Sequence, residues 1–143
     1  MFFLGRVFPA IAEWSGALTG LSAGASGPRV YQLTDNTRAA TTITRWTAVF
    51  EGNIDKFDDM HLDAAVREAA GEVVKWDVAR GQPYNHLLEV RNAMQGMRNV
   101  AAAMKRLLEK GQPTEAQREA AEALRQKAIE ALQRAREAGV TRR

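Results

Sequence analysis

Apolar side chains recur at three- and four-residue steps along much of this chain, which is the spacing of one helix face. The clearest run is Leu87, Val90, Met94, Met97, Ala101, Met104 and Leu108, and it predicts a helix over about residues 84–110 with a helix–helix seam. Beside it runs a second line: His86, Glu89, Ala93, Gly96 and Val100. Its small members open a shallow groove. A glycine inside a helix costs roughly 1 kcal/mol against alanine, so Gly96 predicts the close approach of another group. Upstream, Leu62, Val66, Ala69 and Val73 predict a shorter helix. It starts at Asp58 or Asp59, whose carboxylates suit a helix N-terminus, and ends between Gly71 and Asp77. Residues 77–84 read as a loop closed by Pro83 at the next helix start. Downstream, Gly111-Gln112-Pro113 stops the long helix, and Thr114 with Gln117 forms a capping box for the last one. Ala121, Leu124, Ala128, Ala131 and Ala135 give that helix, over 114–138, a thin alanine-rich seam. The short loop predicts an antiparallel return on its predecessor.

The N-terminal part is less periodic. Residues 2–21 are apolar but broken by Arg6, Pro9 and Glu13. A membrane span needs roughly 20 predominantly apolar residues, so none is expected. Met1-Phe2-Phe3 also lacks the basic start of a secretory signal. The stretch reads as an amphipathic arm packed on the body, or as a segment in transient membrane contact during delivery. Ser22 to Pro28 has linker composition, which divides a leader (1–28) from a working domain (29–143). In that domain, Arg29 to Leu33 and Thr41 to Phe50 are rich in β-branched and aromatic residues, with Asp35-Asn36-Thr37 between them. This is the pattern of a short hairpin near residues 29–51. Ile43, Trp46 and Phe50 equally fit a helix, and both readings stand until Gly52-Asn53 breaks the element. The expected fold class is mainly α: a small helical bundle with long C-terminal helices and at most one hairpin.

A chain of 143 residues holds one modest core. The net charge of +3 does not argue for nucleic acid, but its distribution changes the picture. Residues 55–89 carry eight acids against four bases, and residues 90–110 carry five bases against one acid. A phosphate-binding surface therefore belongs on the long helix, with Arg91, Arg98 and Lys105, joined by Arg67. The absence of cysteine excludes disulfides, thiolate nucleophiles and zinc–thiolate sites.

No phosphate loop or serine elbow is present, so chemistry falls to histidines and carboxylates. The two histidines, His61 and His86, each stand near a helix start. Asp58 precedes His61 by three residues and Glu89 follows His86 by three, so each pair shares one helix face. Three readings compete. The histidines are helix-end residues with local hydrogen bonds. Or Asp58-x-x-His61 and His86-x-x-Glu89 hold a metal, although known helical sites use more carboxylates in matched repeats. Or the histidines are the acid and base of a metal-free ribonuclease, with Arg67, Arg91 or Arg98 steadying the phosphorane. The last needs both rings at one phosphate. A helix running unbroken to Trp76 would be about 25 Å long and would hold them apart. A helix ending near Gly71, with residues 71–84 returning along it, brings them together.

The order Asp58-x-x-His61, Gly71, Pro83-Tyr84-Asn85-His86-x-x-Glu89-Val90-x-x-Ala93-x-x-Gly96-Met97 resembles the polymorphic toxin type 28 domain over roughly residues 54–108. The resemblance implies a mostly helical domain of a secreted bacterial protein, delivered into the cytoplasm of target bacteria. It implies a ribonuclease that acts on RNA and is neutralised by a cognate immunity protein; no cofactor is expected from the residues. By position, His61, His86 and Glu89 form its active set, with Asp58 or Asp59 supporting. The apolar leader suits a pre-toxin segment. The helix after Gly111 has no counterpart in this resemblance. Two other functions compete: a non-enzymatic helical interaction module, and a toxin that disrupts membranes through residues 2–21.

Overall fold

A computed structural model describes residues 28–141, so the leader at 1–21 and most of the linker lie outside the described residues. The chain is mainly α, as expected. It has four α-helices, α1 (Pro28–Asn53), α2 (Asp59–Ala69), α3 (His86–Lys110) and α4 (Glu115–Ala138), and one two-stranded hairpin, β1 (Trp76–Asp77) with β2 (Gln82–Pro83). It divides into two compact units. The first runs to Ala48 and takes in Val100–Lys127; the second holds Val49–Asn99 and Ala128 onward.

The hairpin is not at residues 29–51, which are helical throughout. Ala39, Ala40, Ile43, Thr47 and Phe50 are all buried, and their three- and four-residue spacing makes one helical stripe. Burial of that stripe outweighs the weak strand preference of Thr41, Thr42 and Thr44, since strand propensity mostly reports side-chain surroundings. The buried Thr47 hydroxyl donates to the Ile43 carbonyl one turn back at 2.7 Å, which removes its desolvation cost.

In the first unit, Val100 and Met104 of α3 are buried with Ala121 and Leu124 of α4. The capping box forms as read: the Thr114 amide donates to Gln117 Oε1 at 2.9 Å, and the Gln117 amide to Thr114 Oγ1 at 3.2 Å. Gln117 then uses its remaining amide hydrogens on the Asn36 carbonyl, at 3.1 Å, so its burial is satisfied.

In the second unit the core is Phe50, Phe57, Leu62, Val90, Met94, Met97 and, from α4, Ala128, Ala131 and Ala135. The predicted seams of α3 and α4 supply Val90, Met94 and Met97 here and Met104, Ala121 and Leu124 in the first unit. The stripe predicted for α2 is only partly right. Leu62 is buried, but Ala69 and Val73 are exposed, and Ala64 and Ala65 are buried instead. The reason is length: α2 ends at Ala69. Gly71 then takes a left-handed φ of +97°, open to glycine and costly for other residues. The Glu72 amide bonds to the Arg67 carbonyl and the Gly71 amide to that of Glu68, at 3.1 and 3.0 Å. That pair is the glycine-terminated helix end. Gly139 (φ +102°) ends α4 the same way, with Val140 buried behind it.

Gly96 does mark a close approach, but the group is internal. A Cβ there would lie 2.8 Å from the Asn53 side-chain amide, which is itself held by the Val49 carbonyl.

Candidate functional site

All of the site's principal residues belong to the second unit. Asp58 is the N-cap of α2, in extended conformation at φ −77° and ψ 165°. Its Oδ1 accepts the His61 amide at 2.8 Å and the His61 ring Nδ1 at 2.6 Å. A carboxylate only accepts, so Nδ1 carries the proton in this bond. The His61 amide first, and then its ring, hold the Asp58 carboxyl below the usual carboxylate range.

Glu68, on the last turn of α2, does for His86 what Asp58 does for His61. Its Oε2 lies 2.5 Å from His86 Nδ1, and its Oε1 accepts the Leu87 amide at 2.9 Å. The amide of Leu88 is taken by Asn85 Oδ1 at 2.9 Å. Two acceptors thus satisfy the open N-terminus of α3, where negative charge is also favoured by the helix dipole. Pro83 lies in β2, three residues before this start, so the helix opens at His86 rather than at the proline.

The glycine-ended α2 allows residues 72–85 to return, and the two histidines meet. Their ring centroids are 6.3 Å apart with planes at 63°. Tyr84 also stacks on His86, at 5.5 Å and 28°. Lys75 pairs with Tyr84 in backbone and side chain: the Tyr84 amide donates to the Lys75 carbonyl at 2.8 Å, and Lys75 Nζ lies 5.1 Å from the Tyr84 ring centre. Lys75 has no carboxylate partner among the described residues, so its charge is available at the edge of the site.

Glu89, one helical turn after His86, faces Lys56 at 3.7 Å. The residue that orients His86 is Glu68. Its signal was in the sequence: it stands two helical turns after His61, on the same face. The arginines expected to bind phosphate each have a partner within the protein. Arg67 is clamped by Glu72 at 3.0 Å, which raises its already high pKa and lowers that of Glu72. Arg91 donates to the Thr141 carbonyl at 3.2 Å, and Arg98 to Gln95 at 2.8 Å. Lys105 is exposed in the first unit. Among the described residues no three histidine or carboxylate side chains gather as a metal-binding set. Nor is any helix among them long and apolar enough to cross a membrane.

The sequence profile of the bacterial toxin 28 family matches residues 32–139, three quarters of the chain. The match reaches well beyond residues 54–108 and includes the alanine-rich helix α4, which is therefore part of the family domain and not an addition to it. No curated protein and no solved structure matches the chain. The chain belongs to the bacterial toxin 28 family.

Proposed function

We propose that this member of the bacterial toxin 28 family kills by cutting RNA, with His61 and His86 as general base and general acid. One observation carries the reading. Two histidines twenty-five positions apart stand 6.3 Å apart, each ring turned by a carboxylate on its Nδ1. Rings at that separation can reach the two ester oxygens of one phosphate. One Nε2 takes the proton of the ribose 2′-OH. The 2′-oxygen attacks phosphorus and the bond to the 5′-oxygen breaks. The other Nε2 gives that oxygen its proton, leaving a 2′,3′-cyclic phosphate and a 5′-OH end. Asp58 and Glu68 hold each ring in its tautomer and orientation, the role a buried aspartate has in a serine-protease triad. Lys75 supplies the cation for the phosphorane, a task that Arg67, held by Glu72, is poorly placed to take. Tyr84 and Trp76, both exposed, offer faces for a base. The chemistry uses no metal or cofactor.

In this reading residues 1–28 are a leader used in delivery, with transient membrane contact through residues 2–21, and residues 29–143 are the toxin that reaches the target cytoplasm. A cognate immunity protein protects the producer. The second unit exposes Met60, Val73, Trp76, Val78 and Leu88, apolar side chains that such a partner can cover.

The test is to induce the full chain inside bacteria, with and without His86→Ala, and run total RNA on a gel. Degraded RNA with the parent and intact RNA with the variant is the expected result. Growth arrest beside intact RNA would overturn the reading in favour of membrane damage.

A further inference from the structure

The first unit contains a cleft of about 620 Å³ that the reading above leaves unused. Arg38, Thr42, Arg45 and Trp46 line it from α1, and Arg106 and Lys110 from the end of α3. Arg45, Arg106 and Lys110 therefore bring three cations to one space, and no carboxylate is among the residues that line it. Like charges gathered in a concave site repel one another and concentrate an anion there. The cleft also has a stacking surface. The Arg45 guanidinium stands over the Trp46 ring, 5.2 Å from its centre. A basic groove with an indole in it is the platform on which single strands lie, phosphates on the cations and a base on the ring. An acidic protein face would need a broader and flatter surface than a pocket in the size range of small ligands.

We infer that this cleft binds single-stranded RNA, with backbone phosphate on Arg45, Arg106 and Lys110 and a base against Trp46. It rests on the ribonuclease reading only in naming RNA as the nucleic acid. The test is fluorescence anisotropy of a labelled single-stranded RNA with the full chain carrying His86→Ala, over a salt series. The double variant Arg106→Glu/Lys110→Glu changes two exposed side chains. It should bind at least about tenfold more weakly and flatten the log–log salt slope by about 1.4. Trp46→Ala should weaken binding about fivefold or more. Trp46 is half-buried, so if that variant misfolds by circular dichroism, the exposed Arg45→Glu takes its place with the same expectation. Arg136→Glu, outside the cleft, should leave binding unchanged. Unaltered affinity and slope in the double variant would overturn the inference. So would displacement of the RNA by polyglutamate at equal charge, which would mark a surface for an acidic protein. Intact cellular RNA beside specific binding of the oligonucleotide would sink the ribonuclease reading alone. Unchanged binding by the double variant beside a working nuclease would sink this inference alone.

Discussion

The two carboxylate–histidine pairs are alike in chemistry and unlike in origin. Asp58 and His61 are three residues apart, within one helical turn, and the Asp58 side chain is 53% exposed. Glu68 and His86 are eighteen residues apart on different helices, and their side chains are only 8% and 14% exposed. The first pair is a by-product of capping: any aspartate at that N-cap would meet the residue three on. The second exists only when α2, the returning segment and α3 are all in place. One imidazole is thus positioned by local geometry and the other by tertiary structure, and only the second reports on the integrity of the fold.

That contrast can be broken by substitution. The largest effect should come from the rings themselves. His86→Ala and His61→Ala should each slow cleavage of a single-stranded RNA by about 10²- to 10⁴-fold, with circular dichroism unchanged. The double variant should be little worse than the poorer single one, since the two act as a unit. If His61→Ala cost less than twofold, only His86 would be working. Wild-type rates against pH should follow a bell, one ring being needed neutral and the other charged.

The carboxylates come next. Glu68→Gln should slow cleavage about tenfold or more and Asp58→Asn less, because a buried charge-assisted bond is worth more than an exposed one. Equal losses would remove the distinction. For stability, Glu68→Ala leaves the Leu87 amide and the His86 ring without their acceptor, at about 1–3 kcal/mol by chemical denaturation. Asp58→Ala loses a cap, at about 1 kcal/mol. Asp58→Ser should restore that stability but not the activity, because serine caps the helix without a charge for the ring.

The smallest effect is one of pH. Asp58 and Glu72 both have folded-state pKa values below their ordinary ones, through hydrogen bonds from His61 and Arg67 respectively. Their contribution is complete above pH ~5 and fades as pH falls through the lowered values. Urea midpoints of the wild type should therefore drop between pH 5 and pH 3 more than those of Asp58→Asn. Parallel curves would show that the cap carries no charge effect.

Much of this was legible from residue order. The seams of α3 and α4, the Thr114–Gln117 box and the pair Asp58–His61 all depend on contacts within a turn or two of helix, so spacing reveals them. What was hidden is tertiary. Glu89 stood at the right interval from His86, but side chains compete for partners in space, and Lys56 took it. Glu68 is neighbour to His86 only through a chain reversal that no periodicity encodes. The segment 29–51 was undecidable locally, because its threonines favour a strand and its Ile43–Phe50 spacing a helix, and burial decided it. The cationic cleft was half visible as a basic run on α3; its other wall, Arg38, Arg45 and Trp46, comes from α1.

A single backbone angle has a disproportionate consequence. With φ at +97°, Gly71 is the pivot at which the chain leaves α2, and nothing lies within 4 Å of where its side chain would begin. An alanine would fit the space and still resist the rotation. Were the pivot lost and α2 to wind on, one histidine would be carried away from the other with every added turn. Under the proposed mechanism, the spacing of the two rings therefore depends on a residue that has no side chain of its own.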